Sequence, residues 1–202
     1  MKESSAKRFT RILTAAGVLL VAAAVLLVIA SQITQDRAGK KTVLFGAKVR
    51  ALMPETVDRV PDDRTDMTMP MVEIDGLNFI GIIDVPAYGT SLPICESWDP
   101  SRLSDFPCRY TGSMYDGSLI VGGRDYSNSF CFIKEITGGD LVYVTDMTGA
   151  RYTYVVTDIQ KTRDVSTAQL TGDADLTLFA RNSLSFDYTV IRCVLNARTE
   201  AP

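Results

Sequence analysis

Asp175 to Leu195 reads DLTLFARNSLSFDYTVIRCVL. Leu176, Leu178 and Phe179 are apolar and strand-prone, and Thr189, Val190 and Ile191 form a β-branched run after a polar break. The stretch therefore predicts strand, loop, strand. Working outward, the same texture recurs. Phe79–Val85 (FIGIIDV) predicts a buried strand ended by Pro86 and Gly89, and Ser91–Ile94 a second short one. Leu119–Val121 predicts another, stopped by Gly122 and Gly123. Leu141–Thr145 and Arg151–Thr157 flank Asp146-Met147-Thr148-Gly149, which signals a hairpin. One short helix is expected at about Ser129–Ile136, capped by Ser127 or Asn128 and stopped by Gly138 and Gly139. Short strands, regular turns and few helices predict a mainly β fold, a closed or nearly closed barrel over residues 71–202.

The N-terminal third differs. Ile12 to Gln35 contains no charged residue and is dominated by Ala, Val, Leu and Ile. About 20 such residues suffice to cross a hydrocarbon core of roughly 30 Å. Lys2, Lys7, Arg8 and Arg11 against Glu3 give residues 1–11 a charge of +3. That flank predicts a cytoplasmic N-terminus and an extracellular C-terminal domain, a single-pass protein of the cell membrane. The competing reading is a cleaved signal peptide, with Val28-Ile29-Ala30 as the cleavage site, but the apolar run exceeds the usual 7–15 residues of such a leader. Residues 36–70 are charged and punctuated by Pro54, Pro61 and Pro70, which predicts a stalk with a short helix near Val43–Leu52.

Composition excludes several functions. The chain has 202 residues, 46% hydrophobic and 22% charged, as in a folded protein. Beyond the basic tail the remaining charge is −6 and no dense basic patch follows, so nucleic acid is not an expected partner. There is no histidine, which removes imidazole catalysis and any His-ligated metal. Cys95, Cys108, Cys131 and Cys193 form no C-x-x-C pair and no zinc spacing, so neither a metal nor a cofactor is expected. Each reads as a small buried hydrophobe, and spacing alone does not decide on a disulfide.

Six segments in order resemble a known family. Phe79–Leu92 (FIGIIDVPAYGTSL) is similar to Y-I-G-x-L-x-I-P-x-L-G-L-x-L, and Leu92–Trp98 (LPICESW) to L-P-V-x-x-x-W. Pro107–Tyr115 (PCRYTGSMY) is close to P-C-R-Y-S-G-S-x-Y. Ile120–Phe130 stands where I-A-G-H-N-Y-x-x-H-F is expected, and Gly139–Val156 resembles G-D-x-V-x-F-T-D-x-x-G-x-x-Y-x-Y-x-V. Asp175–Leu195 completes the set, against D-L-T-L-F-T-C, a loop, an arginine and V-R-C. These are motifs of the sortases, the cysteine transpeptidases of Gram-positive cell envelopes, in their clostridial, class B-like form. The resemblance runs from about Met69 to Leu195. It implies a sortase-like β-barrel with a few short helices.

A sortase needs a thiolate to attack a sorting-signal peptide, a histidine to move protons and an arginine to stabilise the oxyanion. Laid over the motifs without a gap, the cysteine position holds Arg181 and the arginine position Tyr188. The histidine position holds Gly123, or Arg124 if the one-residue insertion in that loop falls earlier. No catalytic residue is retained, and a cationic guanidinium is no nucleophile. Cys108 and Cys193 belong to the common motifs, Cys95 to an apolar strand, and Cys131 is the thiol nearest the altered loop. The resemblance therefore implies an inactive homologue that binds a sorting-signal peptide or an envelope protein, with Arg181, Tyr188, Tyr126 and Arg124 as candidate contacts. The alternatives are an active sortase attaching or polymerising surface proteins at the cell wall, and a barrel kept as an assembly module.

Overall fold

The computed structural model describes residues 3–54, 67–126 and 129–200. The chain divides into two compact units, Met1–Arg37 and Ala38–Pro202. A helix, α1, is assigned from Glu3 to Ala51 and covers the whole of the expected span Ile12–Gln35. Its described apolar side chains from Val18 to Val28 are exposed. Among the described residues no helix is long and apolar enough to cross a membrane.

Among the described residues of the second unit nine strands form one sheet: β1 Val72–Ile74, β2 Leu77–Val85, β3 Thr90–Cys95, β4 Cys108–Thr111, β5 Leu119–Arg124, β6 Leu141–Asp146, β7 Ala150–Thr162, β8 Leu176–Arg181 and β9 Tyr188–Glu200. Their order is β1-β2-β3-β4-β5-β8-β9-β7-β6, and β6 pairs back onto β2. The sheet therefore closes into an eight-stranded barrel, β2 to β9, with β1 appended. Most pairs are antiparallel, but β3–β4 and β5–β8 are parallel.

Every predicted strand is present, several of them longer than expected. The hairpin β6–β7 turns as expected at Asp146, whose Oδ1 accepts from the Thr148 amide (2.8 Å), the Thr148 hydroxyl (2.6 Å) and the Ala150 amide (3.0 Å). Its Oδ2 accepts from the Tyr115 hydroxyl at 2.8 Å. The helix expected at Ser129–Ile136 is a four-residue 3-10 turn, Cys131–Lys134, and its expected caps Ser127 and Asn128 lie outside the described residues. A second short helix, α2 (Thr167–Leu170), is opened by a capping box between Ser166 and Gln169.

β2 is buried on both faces because it serves two cores. Ile80, Ile83 and Val85 point into the barrel beside Val121, Val144, Tyr152 and Leu178. Phe79 and Ile82 point outward, the alternation being reset by a bulge between Phe79 and Gly81. A β-carbon on Gly81 would lie 2.2 Å from the Thr145 carbonyl oxygen of β6, so only glycine permits that approach.

The outward patch is covered by the end of α1, which corrects the reading of 36–70 as a stalk for its helical part. Phe45 and Val49, one turn apart, are buried against Phe79 and Phe106. The three rings meet at 5.2 to 5.7 Å between centroids. Lys41 pairs with Asp105 at 2.5 Å, Lys48 with Asp75 at 2.8 Å and Arg50 with Asp84 at 3.0 Å. Residues 55–66 of the expected stalk lie outside the described residues.

Candidate functional site

A third apolar cluster lies on the outer face of β5, β8 and β9: Ile120, Phe179 and Val190, joined by Leu170 of α2. Trp98, from the loop before β4, stacks on Phe179 (centroids 5.6 Å apart, planes 30° apart) and meets Tyr110 edge-on at 5.1 Å. The sheet admits this ring because Gly122 is its floor. A β-carbon at Gly122 would stand 2.4 Å from Trp98 and 2.6 Å from Phe179. The segment carrying α2 is tied down by Arg192, which donates to the Gln169 carbonyl and to Asp158, both at 2.8 Å, and by the Tyr110–Thr167 hydroxyl pair at 3.2 Å.

Above these rings opens a pocket of about 280 Å³ whose lining includes Trp98, Tyr110, Gly123, Arg124, Arg181 and Tyr188. A smaller hollow of about 140 Å³ adjoins it, lined by Arg124, Tyr126, Arg181, Asn182, Ser183 and Phe186. The two share Arg124 and Arg181. The structure thus brings together all five residues singled out in the sequence. Arg124 pairs with Arg181 across the parallel β5–β8 ladder, and Arg181 with Tyr188 across β8–β9. Paired positions project to the same face, so the three side chains form a row along the pocket rim.

Gly123 and Arg124 face opposite sides of β5. A β-carbon at Gly123 would meet the Phe130 ring at 2.8 Å and the Ser129 hydroxyl at 3.2 Å. Phe130 belongs to the barrel core, so position 123 faces inward and cannot carry a side chain into the pocket. Arg124 faces the rim.

The loop between β8 and β9 is held in shape. The Asn182 side-chain oxygen accepts from the amides of Leu184 (3.0 Å) and Ser185 (3.3 Å), and Arg181 lies 5.3 Å from the Phe186 ring centre. The buried Asp125 carboxylate anchors this loop to the end of β5. It accepts from the Ser183 amide at 3.0 Å and from the Ser183 hydroxyl, and pairs with Lys134 at 2.9 Å. Burial pushes the Asp125 carboxyl up, but the Ser183 hydroxyl and amide and the Lys134 ammonium outweigh it and hold the group below the usual carboxylate range. A depressed folded-state value means that this stabilisation is complete above the ordinary carboxylate range and is lost as pH falls through it toward the folded value. Asp125→Asn is therefore expected to cost about 2 kcal/mol in urea unfolding at pH 7. The difference from wild type should shrink at pH 3; an equal difference at both pH values would refute the anchor.

No cysteine lines either hollow. Cys95, Cys108 and Cys193 are buried and Cys131 sits in the 3-10 turn. The hydrogen bond between Cys95 and Cys108 pushes Cys95 up, together with burial, and Cys108 down; Cys108 is nonetheless buried and lines neither hollow, and burial pushes Cys193 up to about 12. A neutral thiol is a poor nucleophile. Among the described residues no cluster of His, Cys, Asp and Glu could hold a metal.

The family model for the sortase domain matches residues 83–199, more than half of the chain. The chain belongs to the sortase family. Solved sortases share its fold at low identity. Sortase C1 of GBS pilus island 1 is 14% identical, with TM-score 0.54 over 84% of this chain and 86% of that one. A Clostridium perfringens sortase C, solved with the C-terminal cell wall sorting motif, is 15% identical, with TM-score 0.52 over 81% and 89%. Listeria monocytogenes sortase A is 18% identical, with TM-score 0.51 over 61% and 91%. Among curated proteins the sequence finds no match.

Sequence reasoning missed the aromatic wall of this sortase pocket. Trp98, Tyr110, Phe179, Val165 and Leu170 come from four separate stretches of the chain. The capping box at Ser166 and Gln169 was the one local signal that a structured element covers the site.

Proposed function

We propose that this sortase-fold protein binds a peptide segment of the cell envelope in the groove between Trp98 and Arg181 and does not process it. The observation that carries the reading is chemical. The groove holds two arginines and aromatic rings but neither thiol nor imidazole, so the thioester of a sortase acyl-enzyme has no sulfur to form on and no imidazole to move its protons. The pocket is nonetheless open and shaped, with its glycine floor and tied loops. The clostridial sortase C solved with a sorting motif motivates a peptide as the occupant. Anchoring by residues 12–35 is part of the proposal; it rests on 24 consecutive uncharged residues within α1 and on the basic flank before them. The domain would then face outward, close to the membrane.

Two measurements test this. The full chain is incubated with a panel of sorting-signal peptides and an amine acceptor, and intact mass is followed. The mass is expected to stay unchanged with no transfer product; an adduct, or turnover abolished by thiol alkylation, would establish an active sortase instead. In cell fractions the chain is expected to stay with membranes after alkaline extraction, and release into the supernatant would remove the anchor.

A further inference from the structure

Arg124 and Arg181 stand directly opposite one another on β5 and β8, and like charges so placed repel. Among the described residues neither has a carboxylate partner. Nothing in the barrel's own packing calls for this pair, since Arg181 is exposed and Arg124 half-buried at the rim. Two guanidinium forks side by side match the two oxygens of a carboxylate, which each can hold through paired N–H groups. The surroundings narrow the ligand further. Two adjoining hollows share the arginines, which leaves room for a bound chain to run past them. The larger hollow is walled by Trp98, Tyr110 and Phe179, which suits an apolar side chain.

We propose that the Arg124–Arg181 pair is the receptor for an acidic side chain of an extended peptide, whose apolar neighbour two residues away fills the aromatic pocket. The spacing follows from extended geometry, in which residues i and i+2 point the same way. This assignment rests on the peptide-binding reading above and adds the charge of the ligand to it. It also departs from a thiol-based site in kind: the position aligned with a nucleophile carries a fixed cation that holds an anion in place.

Trp98 is the single tryptophan of the chain and stands in the pocket wall, so its emission reports occupancy directly. The test uses the full chain in detergent micelles and two blocked alanine-based heptapeptides. One carries Leu and Glu two residues apart; the other carries Leu and Gln. The Glu peptide is expected to shift Trp98 emission saturably and to bind at least tenfold tighter than the Gln peptide, about 1.4 kcal/mol. Arg124→Gln and Arg181→Gln should each remove most of that tenfold, weakening the Glu peptide far more than the Gln peptide. Their melting temperatures should stay level or rise, since one of two opposed charges is gone. Rising salt should narrow the gap between the peptides.

Equal binding of both peptides, with a clear Trp98 response, would overturn the acidic assignment and leave the groove reading standing. Silence toward both peptides would overturn both. Arg-dependent binding of phosphatidylglycerol vesicles or inorganic phosphate in place of the Glu peptide would overturn the peptide assignment in favour of a phosphate ligand.

Discussion

Gly123→His is expected to destabilise the barrel by about 3 kcal/mol, measured as a lower urea midpoint at unchanged slope. The β-carbon alone would press on the Phe130 ring at 2.8 Å. That ring cannot swing away, because it is fully buried and backed by Phe132, with centroids 5.2 Å apart. Overpacking of this kind costs about 1–3 kcal/mol before the imidazole is considered, and its nitrogens would enter the core without an assured partner. Arg124→His, by contrast, is expected to change stability by no more than about 0.5 kcal/mol, as is usual for rim positions. The comparison decides where a histidine would have to stand if transfer chemistry were rebuilt here: beside position 181 on the paired strand. Equal stability of the two variants would show that Ser129 and Phe130 do not pack on β5 as described.

A chain beginning at Met71 is expected to fold poorly or aggregate, whereas one beginning at Ala38 should be a stable monomer. The sequence places the domain boundary near residue 71; the packing places it at the helix. Burying Phe45 and Val49 contributes roughly 2 to 3 kcal/mol each, an upper estimate because the unfolded chain is not fully extended. A loss of about 4 to 5 kcal/mol rivals the whole stability of a small domain. Removing the helix would also expose Phe79, Ile82 and Phe106 together, an apolar patch that favours association. Size-exclusion chromatography and thermal melts of the two chains separate the outcomes, and Phe45→Ala in the full chain should reproduce about 3 kcal/mol of the effect. A monomeric, cooperative 71–202 domain would show that the helix is dispensable.

What could be read from the sequence follows from the range of the forces involved. The β6–β7 hairpin was legible because the three bonds that Asp146 Oδ1 accepts to shape the turn all come from within four residues. β2 was legible from the apolar run Phe79–Ile83 and β8 from Leu176, Leu178 and Phe179. β4 (CRYT) and β1 (VEI) were not, being too short for a period and ordered only by their neighbours. A short helix near Val43–Leu52 was legible, but its packing was not: the charged, proline-punctuated stretch 36–70 reads as a stalk, while the partners that bury Phe45 and Val49 lie at Phe79 and Phe106. Arg181 and Tyr188 were found by resemblance. Their neighbourhood was not, since the parallel β5–β8 pairing that sets Arg124 beside Arg181 joins strands with two others between them in the chain.

The barrel's strands are not joined equally. β7 and β9 pair along nearly their whole length, but β3 and β4 meet at the single pair Cys95 and Cys108, helped by one bond from the Cys95 amide to the Pro107 carbonyl (2.9 Å). This seam is the shortest ladder of the cylinder, and few exposed backbone bonds hold it. The loop 96–107 hangs from it and carries Trp98, Pro100 and Leu103 of the pocket wall. One side of the proposed groove is therefore mounted on the shortest ladder of the barrel, so the pocket wall and the least-paired seam of the cylinder are one piece of chain.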